Sequence, residues 1–591
     1  MMKIIYCFLK EINPFLNGRS CYTLLIFCFC NSAFSQITLN APVFQDTYVT
    51  NASSFPAAPT LQMSEWFLNK RKGAIQFDLS SIPYGSKIIS ADFIFEGMAA
   101  TGSAAQRQFE IQFTPFTWNQ TGLTYGSTPW SNPSTGGISD MPAGIVVTMN
   151  TAPVSFNINV TTHVDYMVCR KLQYGWMLEK KFGAPGVLSM ASNDYLPITS
   201  RPKLVVVYYP PVDVTVATIP ASGPTAADGS ADITVVGGSG SFNYQWYDAL
   251  GSPLVATQDI SAINPGLYKL QITDVLSSEI FKYYVVVGDL QNSVIINIQP
   301  EELFGNDANV RGAISLSLGP PAAEPFRNYP TDNFLRSGLN GIINPYDSYL
   351  KFSYLGLEEY NNISIESATL SLFGNGHSNQ GRGTNFKLKR VTQLWFENCV
   401  TNVNQPSSTT ISEKDINPGP TSVSPDVIRD ITDFVVYHSQ FPNQNYGYMI
   451  DWYPTGTGPS GPNNYVNFHS SSSATTTKRP MLSVKFRIRK DFAELKDKPD
   501  GSLYNVFGLL KFRYNEDYAD TDGKLKYTIY KLSDNQPLVT QVIHPLNVQF
   551  GDNRYVINLN SVISGGLAPS EYMLEVVNEK NEKSFLRFKL N

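Results

Sequence analysis

The chain repeats itself, and no other feature limits its possible folds so strongly. "QDTYV" (45–49) recurs as "NDANV" (306–310), "IQFDLSSIP" (75–83) as "LKFSYLGLE" (350–358), and "IISADFIF" (88–95) as "IESATLSL" (365–372). Trp118, Thr124 and Pro129 recur as Trp395, Thr401 and Pro406 at identical spacing. "NVTTHV" (159–164) then pairs with "DITDFV" (430–435), "YGWML" (174–178) with "YGYMI" (446–450), and "SRPKLVVVY" (200–208) with "KRPMLSVKF" (478–486). Matches in one order over so long a span imply two copies of one domain, at 36–212 and 291–489.

The matched segments either alternate apolar and polar residues or are short apolar runs bounded by Gly, Pro, Asn and Ser. Both patterns predict strands, and no part of the body predicts a long helix. Only 16% of residues are charged, while 42 Gly, 38 Pro, 32 Tyr and 35 Phe suit short strands and many turns. The expected class is therefore all-β and multidomain, each copy an antiparallel sandwich of jelly-roll type. The second copy is longer through Gly/Pro/Asn-rich insertions such as 319–341, which are expected in surface loops. After the Pro pair of "YYPPV" (208–212), residues 213–290 form a separate spacer with eight acidic and two basic residues, a solvated surface. Residues 490–591 carry 27 charged residues in 102, a composition shift that marks a further small β-sandwich.

The two copies resemble the DNRLRE domain of secreted bacterial proteins, carbohydrate-binding module family 96. The likeness rests on Asp46, "FDLSSIPYGSKIISADFIF", Trp118, Thr124, Pro129, Gly175 and "RPKLVVVY" in the first copy. The second copy keeps Asp307, Ala368, Trp395, Thr401, Pro406, Gly447 and "RPMLSV", and "DNFLRS" (332–337) resembles the namesake motif from within an insertion. The resemblance implies carbohydrate binding, with acidic polysaccharide such as alginate as the expected ligand. The spacer resembles the immunoglobulin-like SprB-type repeat of Bacteroidetes gliding adhesins, through Asp228-Gly229-Ser230, Gly237-Gly238, Trp246 and Tyr268. The closing Tyr strand, charged turn and "FLRFKL" resemble C-terminal sorting domains of the same phylum.

At the other end, Lys3, Lys10 and Arg19 precede the apolar run 23–30, and Ala33 and Ser35 suit cleavage before Gln36. This is the pattern of a signal peptide (1–35), with a run too short to span a bilayer, so secretion or display at the cell surface is expected. Four of the six Cys lie in that leader. Cys169 and Cys399 remain, far apart and in different copies, so no bridge between them is expected. Five His and no Cys/His cluster argue against zinc, and nothing calls for a cofactor. A net charge of −5 gives no reason to expect nucleic acid.

No catalytic signature is present: there is no nucleophile elbow, zinc-binding His pair or phosphate loop. The chain reads as a non-catalytic binder of polysaccharide, with two alternatives: an adhesive protein holding cell-surface proteins, and a polysaccharide-degrading enzyme whose paired carboxylates carry no sequence signature. For ligand contact the candidates are Trp66, Lys70 and Lys72. Both lysines fall on one strand face while Arg71 points away, an arrangement that suits an anionic polymer. The bland reading is a solvated edge strand whose lysines discourage pairing, and "KLKR" (387–390) reads the same way. Trp118 and Trp395, recurring in both copies, read as core corners rather than sugar platforms. Arg201 and Arg479 read as structural, and Asp46 and Asp307 as Asx-type turns rather than calcium ligands.

Overall fold

The computed structural model describes residues 36–591 apart from short stretches, the longest being 127–140, 312–331, 418–425, 455–462, 496–503, 517–524, 544–550 and 560–569. The leader (1–35) and the Pro129 position lie outside the described residues. The architecture is all-β, built from several sandwiches joined in series.

Strands within Ile37–Tyr209 form one folded sheet that closes around a single core of Phe77, Phe93, Phe95, Phe109, Trp176 and their aliphatic neighbours. Strands within Asp213–Val287 form a three-stranded sheet and three strands of a four-stranded one, completed by Tyr354–Leu355, around Trp246. Strands within Val294–Ile488 form a second large sandwich around Phe352, Phe386, Phe468 and Phe486. The remaining strands, Phe492–Leu495 to Lys583–Leu590, make a three-stranded and a five-stranded sheet.

The two large sandwiches repeat the same pairings. Val43–Val49 pairs with Asn69–Phe77, which pairs with Trp176–Lys180; equivalently Gly305–Arg311 pairs with Pro345–Phe352, which pairs with Tyr448–Pro454. Gly175 and Gly447 enter the corresponding strands at φ 79° and 82°. A Cβ there would meet Ile75 O at 2.2 Å or Leu350 O at 2.3 Å, so both the backbone conformation and the close approach demand glycine.

Three expectations change. "NVTTHV" and "DITDFV" are not strands but the starts of two helices, α1 (Thr161–Arg170) and α2 (Thr432–Gln440). Asn159 Oδ1 accepts Thr161 N–H at 3.0 Å, and Asp430 Oδ1 accepts Thr432 N–H at 2.8 Å, turning the chain out of the preceding strand. Helix α1 buries His163, Val164, Met167 and Val168, a helical stripe too short to stand out in sequence. The motif "DNFLRS" is no surface insertion: Phe334–Asn340 is a strand within the eight-stranded sheet, bonded to Asn463–His469.

The third change concerns cysteine. Cys169 and Cys399 are bonded, with Cα atoms 5.1 Å apart. Sequence separation gives no lower bound on distance between packed domains. Here the end of α1 abuts the turn after Trp395, with Tyr84 edge-on to Phe396 at 5.0 Å and Lys171 Nζ 4.0 Å over the Tyr84 ring. The spacer is tied in as well. Ile280–Val287 pairs in parallel with Tyr354–Leu355 of the second sandwich, and Lys87 reaches Glu279 at 3.5 Å. Phe441, just after α2, packs with Leu532, Met573 and Phe585 of the C-terminal sheets.

Candidate functional site

The recurring residues hold loops in place. Trp118 Nε1–H donates to Tyr174 O and Trp395 Nε1–H to Tyr446 O, each at 2.7 Å. Trp395 is 2% exposed against Tyr349 and Val400; Trp118 is half-buried beside Val49, Leu123 and Met177. Tyr125 packs into the same small cluster. These rings close the outer face of a sheet and offer little surface to a ligand.

Asp46 and Asp307 sit mid-strand and buried, not in Asx turns. Asp46 Oδ2 accepts Asn193 N–H at 2.7 Å, and Asp307 Oδ2 accepts Ser471 N–H at 2.5 Å, bonds that span 147 and 164 residues. Arg201 and Arg479 clasp the same loops from the far side: Nε–H donates to Tyr195 O and Ser473 O, each at 3.0 Å. Burial is the largest cause that raises Asp46 to about 6 and Asp307 to about 7. Glu397, which accepts Asp307 N–H, rises to about 8 through burial and then the Asp307 charge.

Lys70 and Lys72 do share a face, both lying over the Tyr125 ring, at 5.4 and 4.7 Å. Their strand, however, is interior to the sheet, flanked by Thr60–Trp66 and Trp176–Lys180, so the edge-strand reading is corrected. Lys72 is buried with its Nζ 2.9 Å from Glu179, and Lys70 lies 3.5 Å from Glu65, so each has a carboxylate of its own. Burial, and then the bond to Glu65, raises the Tyr125 hydroxyl. Trp66 pairs with Asn69; its side chain lies outside the described residues.

At the same register in the second sandwich, Asp347 and Asp451 replace Lys72 and Glu179. Lys389 supplies the cation instead, with Nζ 2.7 Å from Asp451 and 3.4 Å from Glu413. It is 4% exposed, so "KLKR" is not a solvated run. Burial and the neighbouring Asp451 charge hold Asp347 above the carboxylate range. Ions this enclosed and paired are structural rather than available to a polymer.

The neighbouring strands of the same sheet offer something different. In the second sandwich Arg336, from "DNFLRS", lies 4.6, 5.1 and 5.0 Å from the ring centroids of Phe334, Tyr346 and Tyr465. Its Nε–H donates to Asn467 Oδ1 at 2.8 Å. Asn309 fixes the strand beneath, accepting Arg336 N–H at 2.9 Å and donating to Phe334 O at 2.7 Å. Arg336, Phe334 and Tyr465 are only half-buried, and the guanidinium donates to a neutral amide. A positioned cation among partly exposed rings is suited to a sugar bearing a carboxylate: the rings take the C–H face, the guanidinium the charge.

Arg336 is not among the candidates from sequence, where "DNFLRS" falls in a surface insertion; no local signal distinguishes it from other loop residues. Among the described residues no group of three or more His, Cys, Asp or Glu is placed to hold a metal ion. Nor is any described helix long and apolar enough to cross a membrane.

Residues 322–486, which include the Arg336 platform, match the family model of carbohydrate-binding module family 96. No curated protein matches the chain. Among solved structures, a putative β-galactosidase from Bacteroides fragilis aligns at 10% identity and a TM-score of 0.13, over 51% of this chain and 41% of that one. A β-1,2-glucanase from Parabacteroides distasonis aligns at 9% identity and 0.13, over 50% and 37%. Escherichia coli α-2-macroglobulin aligns at 8% and 0.12, over 94% of this chain and 45% of that one. The chain thus spans less than half the length of each, and likeness at this level carries no argument about function.

Proposed function

We propose that the chain is an exported, non-catalytic carbohydrate-binding protein whose second sandwich holds an acidic polysaccharide at Arg336. The observation that carries this reading is the coincidence of the family match over 322–486 with the Arg336 platform inside it. Bidentate pairing of a guanidinium with a uronate carboxylate gives both charge and geometry, which the lysines already held by Glu65 and Glu179 do not offer. Export is supported by the leader pattern and by the Cys169–Cys399 bond, since such bonds persist in oxidising compartments.

A glycan array of neutral and acidic polysaccharides, followed by calorimetric titration, tests the reading. Binding to uronate polymers that weakens with salt and is lost in Arg336→Ala is expected. Absence of binding to any glycan would shift the assignment to an adhesive role, and release of oligosaccharide products would make the protein an enzyme.

A further inference from the structure

The first sandwich lies outside the matched region, yet it carries a guanidinium–aromatic platform at the same place. By strand register Arg71 occupies the position of Tyr346, Gln62 that of Arg336, and Tyr48 that of Asn309. Arg71 Cζ lies 5.8 Å from the centroid of Tyr48, and its Nη1–H donates to Gln62 Oε1. The arginine has thus moved one strand over, with the guanidinium still amide-bonded and set against an aromatic ring in both sandwiches. Tyr48 in turn stacks on Phe55, centroids 4.6 Å apart and planes within 6°.

Phe55 is 38% exposed, although its hairpin is pinned: Phe55 N–H donates to Thr47 Oγ1 at 3.1 Å and Ser54 Oγ–H to Thr121 O at 3.0 Å. Phe55 thus rests one face on Tyr48 and keeps part of its surface in water on a backbone that is already pinned, an arrangement that lets a sugar ring stack without further ordering cost.

We infer that Phe55, Tyr48 and Arg71 form a second carbohydrate site, making the chain bivalent. The inference rests on the carbohydrate reading of the second sandwich. Because Cys169–Cys399 and the Tyr84–Phe396 contact join the two sandwiches directly, a long polymer engaging both sites pays less for ordering than it would across a free linker.

Titration of the full-length protein with a mannuronate hexasaccharide and with cellohexaose tests this. The probe that binds is expected at two sites per chain. Phe55→Ala should leave one site, with a melting curve recorded alongside to show the first sandwich still folded at the titration temperature, while Phe55→Tyr, which keeps the stack on Tyr48, should retain both. Arg336→Ala should remove the other site, and the double variant should bind nothing. On a long polymer either single variant should lose at least about tenfold in apparent affinity. One site per chain in the unaltered protein, or Phe55→Ala with both sites intact, overturns this inference and leaves the first reading standing. No binding of either hexasaccharide overturns both.

Discussion

Replacing Trp395 by alanine separates a structural ring from a binding ring. Trp395 is 2% exposed, tilts against Tyr349 with centroids 5.6 Å apart, and donates its indole N–H to Tyr446 O. Losing a ring so enclosed costs about 3–5 kcal/mol, because the cavity left behind cannot fully collapse. For a domain of this size that lowers the melting transition of the second sandwich by roughly 6–20 °C. The loop it anchors also carries Phe396 and Cys399, so contact with the first sandwich should loosen. Trp118→Ala, at the equivalent but half-buried position, should cost less, on the order of 2 kcal/mol. Differential scanning calorimetry of the intact chain reads both. A Trp395→Ala protein that melts like the original yet no longer binds glycan would refute the packing argument and move the ligand to this ring.

Three further outcomes are expected. Lys389→Ala leaves Asp451, Asp347 and Glu413 without their cation, a loss of about 3–5 kcal/mol near neutral pH that should shrink as the pH falls and the carboxylates protonate; urea midpoints at pH 5 and 8 check it. Asp46, Asp307 and Glu397 hold protons in the folded chain that the unfolded chain has released. Their contribution is therefore complete below about pH 4 and is lost as the pH rises through about 6 to 8; Asp307→Asn should flatten that fall in stability. Peptide mapping without reductant should recover a single fragment joining Cys169 to Cys399, and separate peptides would contradict the packing of α1 on the second sandwich.

Sequence by itself determined the all-β class and the positions that recur for packing reasons. Alternation records which side of each strand meets the core, and Gly175 and Gly447 repeat because a carbonyl stands where a side chain would go. Trp118 and Trp395 repeat because one indole N–H bond closes the same corner twice. A strand's alternation is local, so it can be read without knowing its neighbours.

Only the tertiary structure decided which charges meet which partners. Lys72 and Lys389 meet carboxylates from different strands, and Arg71 and Arg336 meet rings from different strands, so no column of a sequence comparison lines them up. Across a sheet, adjacent strands bring side chains within 4.5–5.5 Å, and a cation can be supplied from either side of a pair. The Cys169–Cys399 bond was hidden for the same reason. Pairing depends on distance in space, and distance in space is set by how finished domains pack.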